Sequence, residues 1–167
     1  MKTRLFFLLL ATCLLTKAAW TQNKDNPVGL AINGEVKAPT KITAAEILAM
    51  KQTTTILKDR DGKEHTYAGV PIQDLLNKAG VTTGKQLHGE NLAKYLLVKC
   101  ADGYEVVFSL AELDNEFTDR QVILAHQVDG GLLPSGKGPF RLVVPGEKRP
   151  ARSCFQAVEL VMRFAKD

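Results

Sequence analysis

The sequence predicts an α+β domain of mixed β-sheets with short helices, and three observations lead there. Apolar residues recur with a period of two in several short runs, the mark of half-buried strands. The helical segments are brief and open at recognisable caps. Strands and helices do not alternate regularly, which excludes a parallel βαβ architecture and leaves mixed sheets.

Residues 1–21 stand apart from that domain. Lys2 and Arg4 precede an apolar run over 5–15 that is too short to span a bilayer comfortably, and small residues Ala18 and Ala19 follow. This is the pattern of a secretory signal peptide, with cleavage expected after Ala19 or Thr21. The chain is therefore expected to be exported, to the periplasm or beyond. Residues 22–28 are polar, include Pro27, and read as a short disordered leader. Residues 29–167 read as a single domain.

Within it, 29–36 alternates through Leu30 and Ile32 into an Asn33-Gly34 turn, a strand and its end. Thr43 and Glu46 have the spacing of a capping box, opening a helix through about Met50. The β-branched run 53–57, the charged turn 58–64 around Asp61-Gly62, and 65–67 read as a hairpin. Pro71 suits a helix start, Leu75, Leu76 and Ala79 keep helical spacing, and Gly80 supplies the stop. Residues 82–93 are irregular. The runs 95–99 and 105–108 flank Asp102-Gly103 as a second hairpin, a short helix follows to Leu113, and 114–120 is a polar loop. Strands are expected at 122–127 and 140–144, joined by a glycine-rich connection, and at 155–164, where alternation of Val158, Leu160 and Met162 favours strand over helix.

Charge excludes one class of partner. The 22 basic and 18 acidic residues give +4, but Lys2, Arg4 and Lys17 lie in the signal peptide. The remainder is near +1, so nucleic acid is not implied. No later apolar run approaches spanning length, so the mature chain has no expected membrane span. Cys100 and Cys154 remain after the leader. In an oxidising compartment they permit a disulfide, whose loop of about 55 residues would contribute roughly 4 kcal/mol; the alternative is two unpaired, half-buried thiols. His65, His88 and His126 show no metal spacing, and no P-loop, dinucleotide fingerprint or hydrolase triad is present.

Residues 133–146 concentrate the features of a binding site. A glycine-rich turn with Lys137 and Gly138 leads into a strand carrying Arg141, and Lys148, Arg149 and Arg152 follow Pro145-Gly146. Glycines let backbone amides approach a ligand, and guanidinium forks suit oxyanions. One reading is a pocket for a phosphate, sulfate-like or carboxylate anion; the other is solvated charge flanking a buried strand.

Four segments in order resemble the molybdopterin-binding domain of the sulfite oxidase family of molybdenum oxidoreductases: 32–48, beginning Ile32-Asn33-Gly34-Glu35-Val36; Tyr67-Ala68-Gly69-Val70-Pro71-Ile72; Ala101-Asp102-Gly103-Tyr104 with Phe108-Ser109-Leu110; and Gly138-Pro139-Phe140-Arg141-Leu142-Val143-Val144-Pro145-Gly146. The resemblance covers about 34–161 and implies that fold. It implies cofactor contacts at Lys137, Gly138, Arg141, Arg149 and Arg152. Tyr104 matches a pocket tyrosine that could donate to a bound oxyanion, or is a half-buried hairpin residue. Molybdopterin is the implied cofactor. Molybdenum is not expected, because the turn that carries the family's ligating cysteine reads Lys58-Asp59-Arg60-Asp61-Gly62 here; only Cys100 or Cys154, from a new position, could replace it. The expected function is an exported ligand-binding or partner module with a degenerate site, holding a small anion or pterin or serving a membrane or periplasmic redox partner. The alternative is a molybdopterin-dependent oxidoreductase acting on a sulfur oxyanion.

Overall fold

In the computed structural model, which describes residues 28–165, ten strands form two five-stranded sheets. The signal peptide expected over 1–21 and all but the last residue of 22–28 lie outside the described residues. Among those described, no helix is long and apolar enough to cross a membrane.

The first sheet has the order β2 (Thr40–Thr43), β1 (Gly29–Gly34), β10 (Ala157–Phe164), β5 (Lys94–Cys100) and β6 (Glu105–Ser109). Its β1 and β10 run parallel, with Ile32 opposite Leu160, and its other neighbours run antiparallel. In the second sheet β3 (Thr53–Lys58) pairs β4 (Glu64–Pro71), which pairs β7 (Ile123–Val128); two short strands, β8 (Gly131–Leu132) and β9 (Arg141–Val143), both pair β7. Mixed sheets with few short helices are the expected class, and the C-terminal segment is a strand, as its alternation indicated.

The two helices begin where local chemistry starts them. In α1 (Ala44–Ala49), Glu46 N–H donates to Thr43 Oγ1 at 3.2 Å and Thr43 N–H donates to Glu46 Oε2 at 2.8 Å, so both orphan amides are satisfied. In α2 (Ile72–Lys78), Pro71 is the N-cap, and Gly80, at φ +72°, allows Val81 N–H to reach back to Leu76 O. A second reciprocal cap, Ser109 with Glu112, starts a 3-10 turn at Leu110–Leu113.

Two elements differ from the expectation. The strand β2 pairs with β1 although its four residues, which follow Pro39, carry little alternation of their own. The strand β4 runs four residues further than the hairpin pattern suggested, because Gly69 permits it. A Cβ at Gly69 would lie 2.2 Å from the Leu124 carbonyl oxygen of β7, so only glycine keeps the two backbones this close.

The main core lies between the sheets. Leu30, Ile32, Leu96, Val98 and Leu160 from one sheet meet Val70, Leu124 and Leu142 from the other, with Ile47, Ile72, Leu75 and Leu76 of the helices closing it. Each such aliphatic side chain contributes about 1.5–3 kcal/mol by leaving water. A smaller cluster of Leu57, Tyr67, Ile123, Ala125 and Val143 covers the opposite face of the second sheet. Strand parity then sets the site: in β9, Leu142 points to the main core, so Arg141 and Val143 point to the outer face.

Candidate functional site

That parity places Arg141 in the floor of a cleft of about 510 Å³ on the outer face of the second sheet. The β3–β4 hairpin supplies Asp59, Arg60, Asp61, His65 and Tyr67; the connection after β7 supplies Val128, Asp129, Leu133, Pro134 and Lys137; Phe155 closes the wall beside Arg141. Another cavity of about 200 Å³, at Pro71, Gln73 and 118–122, holds none of the residues that the sequence pointed to.

Arg141 is 1% exposed and is held on every side. Its guanidinium donates from Nη1 to Asp59 Oδ2 at 2.6 Å and from Nη2 to Asp59 Oδ1 at 3.1 Å, a forked ion pair. Nη1 also donates to the Tyr67 hydroxyl, which in turn donates to Asp59 Oδ2 at 2.8 Å. The Ser153 carbonyl accepts from Nη2 at 3.5 Å. Arg141 Cζ lies 4.1 Å from the Phe155 ring centre and 4.8 Å from that of Tyr67, and Lys137 Nζ lies 5.1 Å from that of Phe155. These are cation–π distances. One donor, Arg141 Nε, is buried with no partner.

The charge states follow from these contacts. The bond from Arg141 holds the Asp59 carboxyl far below the ordinary carboxylate range, against the opposing effect of burial. Burial, with the bond to Asp59, pushes the Tyr67 phenol well above its ordinary value, so it stays a neutral donor. At the cleft mouth His65 is gripped between two carboxylates, Nδ1 to Asp129 Oδ2 at 2.6 Å and Nε2 to Asp61 Oδ2 at 3.0 Å. The bonds to Asp129 and then Asp61 raise its pKa and favour the imidazolium. The arrangement ties one hairpin turn to the other, since Asp129 Oδ1 also accepts from Thr66 N–H at 2.9 Å. Among the described residues Arg60 and Lys137 make no ion pair, while the two carboxylates on the one imidazolium leave a negative charge over at the mouth.

Of the residues that the sequence pointed to, Lys137 and Arg141 meet in this cleft. Arg152 does not reach it. It donates to Glu147 from Nε at 2.8 Å, to Glu112 from Nη2 at 3.0 Å and to the Val107 carbonyl at 3.1 Å, and it stacks 4.3 Å from the Phe108 ring centre. Arg120 pairs with the same two carboxylates. Arg149 is exposed in the turn before it. Gly138 joins Pro139 through a cis peptide and lines a neighbouring apolar groove with Phe140, His126 and Leu132. Tyr104 is 46% exposed on the β5–β6 turn, its hydroxyl donating to the Ala151 carbonyl at 3.1 Å. Cys100 and Cys154 are buried thiols in the main core and neither lines the cleft.

The sequence does not mark Asp59, His65, Asp129 or Phe155 as site residues. Asp59 and His65 had one legible signal, a turn dense in charge directly after a strand; Phe155 and Asp129 had none.

The chain matches the oxidoreductase molybdopterin binding domain over residues 18–148. No curated protein matches it. Among solved structures it is similar to the sulfane dehydrogenase SoxCD from Paracoccus pantotrophus, at 24% identity and a TM-score of 0.64. The similarity covers 83% of this chain and 39% of that one, so this chain spans well under half the length of its neighbour.

Proposed function

Because the chain belongs to the oxidoreductase molybdopterin binding domain family and has the sulfite oxidase-like fold, we propose that it is an exported ligand-binding or partner module whose cleft no longer serves metal chemistry. The observation that carries this reading is the Arg141–Asp59 pair. A buried arginine with aromatic rings against it is suited to an oxyanion, and here an internal carboxylate takes that place. The carboxylate comes from the same turn in which the resemblance expects a ligating thiolate. A hard carboxylate already committed to an arginine is a poor substitute for a soft thiolate toward molybdenum. The thiols at Cys100 and Cys154 point into the core instead. The residues present therefore do not fit the metal.

They do fit a small anion or a pterin. Lys137 and Arg60 are available cations, the Phe155 ring offers an apolar surface, and Arg141 Nε is a donor without an acceptor. Asp59 sits where a stronger anion would compete with it. Titration with inorganic phosphate tests this directly. Asp59→Asn removes the internal anion and is expected to tighten phosphate binding about tenfold, the effect of roughly 1.4 kcal/mol; Lys137→Ala is expected to weaken it. Unchanged affinity in Asp59→Asn would sink the reading.

The second reading, a molybdopterin-dependent oxidoreductase acting on a sulfur oxyanion or related substrate, draws on the neighbour's name as a sulfane dehydrogenase. Metal analysis of the native-source protein, with fluorescence of any released pterin, separates the two. We expect no stoichiometric molybdenum, and one molybdenum per chain would favour the oxidoreductase. The partner role is supported by the apolar groove of about 240 Å³ beside the cleft, where Leu132 is 80% exposed. Export is tested by the mass of the secreted N-terminus, expected to begin at Trp20 or Gln22.

A further inference from the structure

Behind the cleft wall, the main core holds a pair of nucleophiles that the site does not use. Cys100 ends β5 and Cys154 lies in the segment that leads into β10; both are buried in the same core cluster, near enough that each thiol shifts the acidity of the other. The two backbones interlace around them. Ala101 N–H donates to the Gln156 carbonyl at 3.0 Å, Cys100 stands opposite Ala157 in the ladder, and the Tyr104 hydroxyl ties the β5–β6 turn to Ala151. The fold thus brings the two thiols into one core cluster from segments far apart in sequence, the first requirement of a disulfide.

We propose that Cys100 and Cys154 are a disulfide-forming pair, closed by exchange with a disulfide donor as the chain folds and then sealed in the core. The Cys100 thiolate attacks one sulfur of the donor, whose other sulfur leaves as a thiolate. Cys154 gives up its proton and attacks the Cys100 sulfur of the mixed disulfide. The donor departs as two thiols, and the chain has lost two protons and two electrons. The acidities fit this order of events: the neighbouring Cys154 thiol lowers the Cys100 pKa, and the Cys100 side chain, together with burial, raises that of Cys154. Burial sets the timing, because a thiol this enclosed meets a donor readily only before the core closes.

The bond would act on the cleft through the segment it anchors. Cys154 stands between Ser153, whose carbonyl accepts from Arg141 and whose hydroxyl caps Val144 N–H at 2.9 Å, and Phe155, which stacks on Arg141. A covalent link at that point fixes the wall against which the guanidinium packs. Its biological use rests on the reading above that the chain is exported, since a reducing compartment supplies no such donor.

The test is oxidative refolding of the full chain with mixed reduced and oxidised glutathione, followed by alkylation and peptide mapping. The expected product is a linked Cys100–Cys154 peptide pair lighter by two hydrogens, with a thermal midpoint above that of chain refolded in reductant alone. In folded, reduced chain, alkylation of both cysteines should be far slower than in denaturant. Alkylated Cys100 and Cys154 after oxidative refolding, or linkage of either to Cys13, would overturn the proposal. Cys100→Ser should abolish both the linked peptide and the midpoint gain; if that variant does not fold, the wild-type peptide map still decides. Linkage in vitro with an uncleaved native leader would sink export and leave the pair standing; a cleaved leader with no linkage would sink the pair alone.

Discussion

Two arginines from the same basic stretch, Arg141 and Arg152, meet very different fates. The Arg141 side chain is 2% exposed and faces one carboxylate, one phenol and two rings; the Arg152 side chain is 30% exposed and shares two carboxylates with Arg120. Arg141 is placed by strand parity and closed over by a distant turn. Arg152 is placed by a loop and neutralised by Glu147, five residues before it, and Glu112. A cluster of cations in a sequence does not by itself define an anion site. What defines it is which cation is dry, and how many carboxylates the fold has already brought to it.

The contrast breaks most sharply if a carboxylate is removed from each. Asp59→Ala leaves a buried guanidinium without its counter-charge, and truncating one partner of a buried pair costs about 3–5 kcal/mol. Because the Asp59 side chain is 15% exposed, the lower end, about 3 kcal/mol, is expected. Glu147→Ala leaves Arg152 with Glu112 and solvent, and the expected loss is about 1 kcal/mol or less. Urea unfolding at neutral pH measures both. Equal losses would mean that burial does not separate the two arginines.

Acid sharpens the same comparison. The folded-state pKa of Asp59 is depressed by Arg141, so its contribution to stability is present above the ordinary carboxylate pKa and is lost as pH falls through the folded value. The decline should begin below about pH 4. The stability gap between wild type and Asp59→Asn should therefore narrow as urea unfolding is repeated from pH 5 downward. A gap that is constant with pH would show that Asp59 acts by packing and not by charge.

A third, smaller effect concerns the rings. Phe155→Leu keeps an apolar side chain but removes the face against Arg141 and Lys137, and a loss of roughly 1 kcal/mol is expected. The corresponding change at Phe108, under Arg152, mixes that loss with core packing and is the less clean measurement.

Local chemistry made much of the fold legible. Thr43 and Glu46 announce a helix start, Asp61-Gly62 and Asp102-Gly103 announce hairpins, and alternation over the last strand announces an outer and an inner face. The motif glycines were legible as a resemblance, and Gly69 supplies the physical reason for one of them. The site was legible only in half. Lys137 and Arg141 were readable because they lie within one short stretch. Asp59 was visible only as part of a charged turn, and its partner lies 82 residues away. The register of β3 on β4 and of β9 on β7 brings them together, and no local pattern encodes that register. The same holds for Arg152, whose partner Glu112 is 40 residues distant.

His65 provides the last and smallest break in the comparison, because its sign opposes that of Asp59. Its bonds to Asp129 and Asp61 raise its folded-state pKa. Its contribution is then fully present below the ordinary histidine pKa and is lost as pH rises through the raised value. The same cleft should thus weaken in both directions of pH, its floor in acid and its mouth as pH rises through the raised histidine value. The imidazolium is partly exposed, so salt should shrink the histidine effect while leaving the effect of Asp59 nearly intact. A proton titration of His65 followed by NMR locates the transition, and thermal midpoints of wild type and His65→Gln across it measure its consequence. If the two proteins lose stability in parallel as pH rises through that transition, the clamp between the hairpin turns is not electrostatic, and the mouth of the cleft is held by its backbone bonds alone.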